Sequence, residues 1–126
     1  MTILLDTSVL IDQLRGDILA MEAVANAAAD GERVICSVVT KVEVLAGMRR
    51  EEERKTRRLF EGLEWIDVDD QIVERAGLLA NQFQRSHSSI DPLDFVIAAT
   101  AERHRARLWT RNRKHFPMFE NLVRPY

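Results

Sequence analysis

Three acidic side chains from distant segments, Asp6, Glu43 and Asp94, could do chemistry together. Each also has an ordinary structural explanation. Asp6 follows the apolar run Ile3 to Leu5 and precedes Thr7 and Ser8, so its carboxylate can cap a helix that starts there. Asp94 lies three positions after Asp91, which can cap a helix with Pro92 at its first position, and an acid in that turn faces the helix's positive end. Glu43, between Val42 and Val44, can be an exposed helical glutamate. Brought together, the three would make an all-oxygen pocket. Such a pocket repels itself without a cation, and its hard donors suit Mg²⁺ or Mn²⁺.

Convergence depends on the elements that carry the acids. Ile3 to Leu5 reads as a buried strand closed by Asp6 and Thr7. Ile18, Leu19, Val24, Ala25 and Ala28 recur at helical spacing until Gly31 stops them, and Val34 to Ser37 reads as a second strand. A helix follows from about Val39 to Met48, with Val39, Val42, Leu45 and Ala46 toward the core. Leu59, Phe60 and Leu63 give the next helix an apolar edge opposite its arginines. Trp65 and Ile66 suggest a third strand, and Ile72, Ala76, Leu79, Ala80 and Phe83 form one stripe of a long helix. Beyond Pro92, Phe95 to Ala101 is apolar on every side, which predicts a deeply buried helix with Asp94 at its rim. Leu108 to Thr110 reads as a fourth strand and Leu122 to Val123 as a fifth. Strands alternating with helices at these lengths predict a single α/β domain over residues 1–126, with a mainly parallel sheet of four or five strands and helices on both faces. Ligands of such sheets sit beyond the carboxyl ends of the strands, where Asp6 falls.

A chain of 126 residues is long enough to bury a core without staples, and its lone Cys36, in the apolar run Val34 to Cys36, reads as a small buried hydrophobe. Met1 to Leu5 is too short for a signal peptide and no apolar run approaches membrane-spanning length, so a soluble, cytoplasmic protein is expected. The net charge of −2 argues against a protein that coats nucleic acid. Positive charge is nevertheless dense in Arg49, Arg50, Arg54, Lys55, Arg57 and Arg58, and again from Arg103 to His115. These runs read either as solvated helix faces or as phosphate contacts. His104 and His115 read as surface histidines, and Trp65 and Trp109 as core residues rather than stacking platforms.

The motif Asp6-Thr7-Ser8-Val9-Leu10-Ile11-Asp12, then Thr40 to Gly47 around Glu43, then Asp94-Phe95-Val96-Ile97-Ala98-Ala99-Thr100-Ala101, and last Leu108 to Asn112 with His115-Phe116, resemble in order and spacing the motifs of PIN-domain nucleases. More narrowly they resemble the VapC-type toxins of toxin–antitoxin pairs. The resemblance implies that Asp6, Glu43 and Asp94 hold Mg²⁺ or Mn²⁺, with hydroxyl contacts from Thr7 or Ser8. It implies an endoribonuclease acting on single-stranded or loop RNA, a VapB-type antitoxin partner and a homodimer. Arg54, Arg57, Arg111 and Arg113 would then hold RNA phosphates. Many relatives carry a fourth acid where this chain has the neutral Asn112, which leaves one or two metal ions open, with Asp91 as a partial substitute. A housekeeping RNA-processing nuclease and a non-catalytic RNA- or partner-binding module share the pattern. A haloacid phosphatase would need an aspartate where Ser8 stands, and a receiver domain would need paired acids at the first strand.

Overall fold

Ile3, Leu4 and Leu5 offer water no polar face, and the chain puts them where both faces of a sheet are covered. A computed structural model describes all 126 residues. In chain order the elements are β1 (Thr2–Leu5), α1 (Thr7–Leu14), α2 (Ile18–Ala29), β2 (Arg33–Ser37), α3 (Val39–Ala46), a 3₁₀ turn (Arg50–Glu52), α4 (Glu53–Glu61), β3 (Glu64–Ile66), α5 (Asp70–Phe83), α6 (Pro92–Arg103), β4 (Arg107–Trp109) and a second 3₁₀ turn (Arg113–His115). The four strands lie in the order β3-β2-β1-β4, all parallel. Leu4 stands opposite Ile35 on one side and Leu108 on the other.

Successive side chains of a strand point to opposite faces, so β1 feeds two cores. Leu4, Ile35 and Leu108 meet α5 and α6 through Ile72, Leu79, Phe95, Ile97 and Ala98. Ile3, Leu5 and Cys36 meet the other layer through Val9 and Leu10 of α1, Ala27 of α2, Val44 of α3 and Phe60 of α4. Each large side chain buried this way contributes roughly 1.5–3 kcal/mol. Glycines in the left-handed region end two helices: Gly16 at φ +80° turns the chain from α1 into α2, and Gly31 at φ +82° turns it from α2 into β2.

Three expectations need correction. Leu122 and Val123 form no fifth strand: the chain after the second 3₁₀ turn runs in turns and irregular backbone, Leu122 packs against the α5–α6 core and Val123 stands in solvent. Two apolar residues flanked by Pro117 and Pro125 are too short a run to build a ladder, and proline cannot donate to one. In α3 the inward pair is Thr40 and Val44, one turn apart; Val42 is 61% exposed and Ala46 is exposed. In α2, Ala20 and Ala27 face the sheet while Ile18 and Leu19 point outward. Both helices lie where the periodicity puts them: Val39 and Leu45 of α3 and Val24 of α2 do pack against the cores, and Val42, Ala46, Ile18 and Leu19 do not.

Candidate active site

The β1–β4 ladder runs one residue past the strands: the Asp6 N–H donates to the Trp109 carbonyl at 2.9 Å, which sets Asp6 beside Thr110. Asp6 occupies the N-cap position of α1, with extended backbone, yet its side chain caps nothing. Its Oδ2 instead accepts the hydroxyls of Ser8 at 2.9 Å and Thr110 at 2.7 Å. The residue is only 3% exposed, while Oδ1 accepts no bond and keeps access to the cleft beside it. Thus the capping explanation for Asp6 fails.

Glu43 sits in the second turn of α3, half-buried, and its Oε1 accepts the Thr7 hydroxyl at 2.8 Å. Thr7 also lies 3.2 Å from the buried Thr40 hydroxyl, which fixes it against α3. Asp91 caps α6 by accepting from the Leu93 N–H at 2.8 Å, with Pro92 in the first turn, as the sequence suggests. Asp94, relieved of capping, is 7% exposed, and its Oδ2 lies 3.1 Å from His115 Nδ1, which donates to it in the tautomer protonated there.

These groups line one cleft of about 410 Å³ at the carboxyl edge of the sheet. Asp6, Thr7, Ser8, Asp12, Glu43, Asp91, Asp94, Asn112 and His115 line it with Arg15 and Arg111, and Ile11 is its one apolar wall. Burial, then the negative charge of Asp6, pushes the Asp94 carboxyl up to about 6, against the pull of His115. Burial likewise raises Glu43, offset in part by the Thr7 hydrogen bond and reinforced by Asp6 and Asp91. Carboxylates that raise one another's proton affinity gain from a cation between them, and an all-oxygen set matches a hard divalent ion. No three acidic, histidine or cysteine side chains stand ready-formed as a metal cage; the donors line an open cleft.

The cleft gathers Asp6, Thr7, Ser8, Glu43, Asp91, Asp94, Arg111 and Asn112. Asn112 lends its backbone N–H to the Thr110 hydroxyl at 2.9 Å. Arg113 lies outside, with Arg111 and Arg124 around a neighbouring hollow. Arg54 and Arg57 project from the solvent side of α4 and line neither. Trp65 and Trp109 are half-buried against the α1–α4 core. Sequence reasoning gave Asp12 and Arg15 no role, although Ser8, Asp12 and Arg15 recur at i, i+4 and i+7, one face of α1. It read His115 as a surface residue; no local signal ties position 115 to position 94.

Residues 3–120 match the family described as PIN domain. Ribonuclease VapC19 of Mycobacterium tuberculosis is 38% identical over 123 residues, 98% of either chain. Ribonuclease VapC10 of the same organism is 40% identical over 124 residues, 98% of this chain and 92% of that one. A toxin-antitoxin complex from Klebsiella pneumoniae contains a chain similar in structure, with a TM-score of 0.80, 31% identity and 98% of both chains covered.

Proposed function

The chain belongs to the PIN domain family, and on that premise we propose that it is a metal-dependent endoribonuclease, the toxin of a toxin–antitoxin pair. The observation that carries this reading is the meeting of Asp6, Glu43 and Asp94 in one polar cleft, each held by a hydroxyl or imidazole partner. The relatives above are named ribonucleases, which supports RNA as the substrate.

Bound between Asp6, Glu43 and Asp94, Mg²⁺ or Mn²⁺ would supply Lewis acidity, lowering the pKa of a water and neutralising charge on the scissile phosphate. The chain's own part is preorganisation. Ser8 and Thr110 fix Asp6 through Oδ2, Thr7 fixes Glu43 through Oε1, and His115 fixes Asp94 through Oδ2, so each acid keeps its second oxygen for the cleft. Either Glu43 or Asp94, both lining the cleft, would accept the proton lost by the attacking water. Arg15 and Arg111 flank the acids and receive neighbouring phosphates, while Arg54, Arg57 and Arg113 serve phosphates further along the strand without reading sequence. With Asn112 neutral, Asp91 capping α6 and Asp12 paired with Arg111, Asp6, Glu43 and Asp94 would hold one ion firmly and a second only with RNA phosphate in place.

The same reading makes the protein a cytoplasmic homodimer restrained by a VapB-type antitoxin. The solved relative from Klebsiella pneumoniae belongs to a toxin-antitoxin complex, and exposed Ile18, Leu19 and Met21 on α2 supply apolar surface for a protein partner.

The test is Asp6→Asn and Asp94→Asn, assayed on single-stranded RNA with Mg²⁺ or Mn²⁺ and with chelator. Asparagine keeps the size and an accepting oxygen but removes the charge a hard cation needs. Both variants should fold as the wild type does and cleave no faster than the chelated enzyme. Full cleavage by either removes that residue from the metal set; no metal-dependent cleavage by wild type would leave a non-catalytic module.

A further inference from the structure

Asp12 is the one buried carboxylate besides Asp6 and Asp94, 8% exposed on α1, and the mechanism above leaves it without a part. Its two oxygens accept from Arg111 Nη1 at 3.1 and 2.9 Å, and Oδ2 also accepts the Tyr126 hydroxyl. Burial acts to raise its proton affinity, but the hydrogen bonds from Tyr126 and Arg111 outweigh burial and keep Asp12 ionised. Tyr126 itself packs against the α1–α4 core, so its hydroxyl reaches Asp12 from a fixed ring.

Both bonds to Asp12 use a single guanidinium nitrogen. Nε and Nη2 of Arg111 donate to nothing within the chain, and Arg111 lines the cleft that contains Asp6 and Asp94. Its backbone N–H donates to Ser8 Oγ at 3.1 Å, and its neighbour Thr110 gives its hydroxyl to Asp6. The arginine is therefore tethered at both ends, by backbone to the metal-side hydroxyl and by side chain to Asp12. A guanidinium anchored through one nitrogen keeps a planar N–H edge of fixed direction, the geometry that receives a phosphate.

We infer that Asp12 and Tyr126 are positioning residues for Arg111, holding its guanidinium at the cleft mouth so that the Nε–Nη2 edge meets a phosphodiester of bound RNA. That the ligand is RNA rests on the ribonuclease reading. The device is a relay from Tyr126 through Asp12 to Arg111, and the part played by each is separable by mutation. Because Asp12 offsets the arginine's charge, the gain is orientation more than long-range attraction.

The test measures binding of a fluorescent single-stranded RNA oligonucleotide by anisotropy in chelator, where nothing is cleaved. The proteins are wild type, Tyr126→Phe, Asp12→Asn, Arg111→Ala and the pair Tyr126→Phe with Arg111→Ala. Tyr126→Phe keeps the packed ring and should weaken binding roughly two- to tenfold, the range for one lost hydrogen bond. Asp12→Asn removes a negative charge as well as the anchor, so its weaker binding should show at high salt, where the charge effect is screened, and Tyr126→Phe should add nothing once Arg111 is alanine. In steady-state cleavage the same variants should raise KM more than they lower kcat. A lowered melting temperature with unchanged RNA affinity in Tyr126→Phe would reduce the relay to a fastening of the chain end, and independent, multiplying effects of Tyr126 and Arg111 would overturn it as well. If Asp12→Asn does not fold, the Tyr126 and Arg111 variants decide alone. Clamp-dependent RNA binding without metal-dependent cleavage defeats the nuclease reading and leaves the relay; cleavage with clamp-insensitive affinity does the reverse. Absence of RNA binding by wild type defeats both.

Discussion

Asp6 and Asp94 each stand where an acid normally serves a helix start, yet their carboxylates are held by side chains from elsewhere in the fold: Thr110 and His115. That part of the site could not be read locally, because the partners lie far along the chain. The acids themselves were legible from their residue types and the ends of their elements, and Asp91 behaves as the cap its sequence suggests. The held position of Asp94 has a pH signature. Its carboxyl binds a proton more tightly folded, at about 6, than at the ordinary value of 3.8. Such a group favours the folded state fully below the lower value and loses that contribution as pH rises through the higher one. Metal-free wild type should therefore lose melting temperature, relative to Asp94→Asn, between about pH 4 and pH 7, and saturating Mg²⁺ should remove most of the difference by stabilising the ionised form. Parallel melting curves against pH for the two proteins, without metal, would show that Asp94 carries no such burden.

Among the elements, the strongest periodic signals were the most faithful. The stripe Ile72, Ala76 and Leu79 does face the core from α5, and the apolar run of α6 is buried from Phe95 through Ala101 except for half-buried Val96. Short helices misled. In the eight residues of α3, valines occur on both faces, Val44 buried and Val42 exposed, so hydrophobicity alone cannot fix its rotation, and the polar Thr40 turns inward to meet Thr7. Helix α4 is clearer: Thr56 and Phe60 face in, and its arginines face water. Reversing Arg54 and Arg57 to glutamate there should leave the fold intact and weaken RNA binding for all sequences. The slope of log affinity against log salt should flatten by roughly 0.7 for each single-strand phosphate that is no longer neutralised. An unchanged slope would assign this face to solubility or to a protein partner.

At the scale of the whole molecule, the architecture was legible because a parallel sheet with apolar strands requires helices on both faces, and only the fifth strand failed to appear. No helix is long and apolar enough to cross a membrane. If the proposed function holds, the chain expressed alone in a bacterial host should slow growth, and co-expression of a small VapB-type antitoxin should relieve the arrest; normal growth with folded protein present would favour a housekeeping nuclease. The strand order of the sheet also bears on when the cleft can form during synthesis. The central strand β1 is made first, but its neighbour β4, and with it Thr110 and Arg111, is made last. A nascent polypeptide that has not yet released the segment near residue 110 has Asp6 with only Ser8 of its two hydroxyl partners and β1 without one of its two neighbours. Because translation adds only about 5–20 residues per second, the ribosome carries a PIN domain with an incomplete cleft for most of the time it takes to build one.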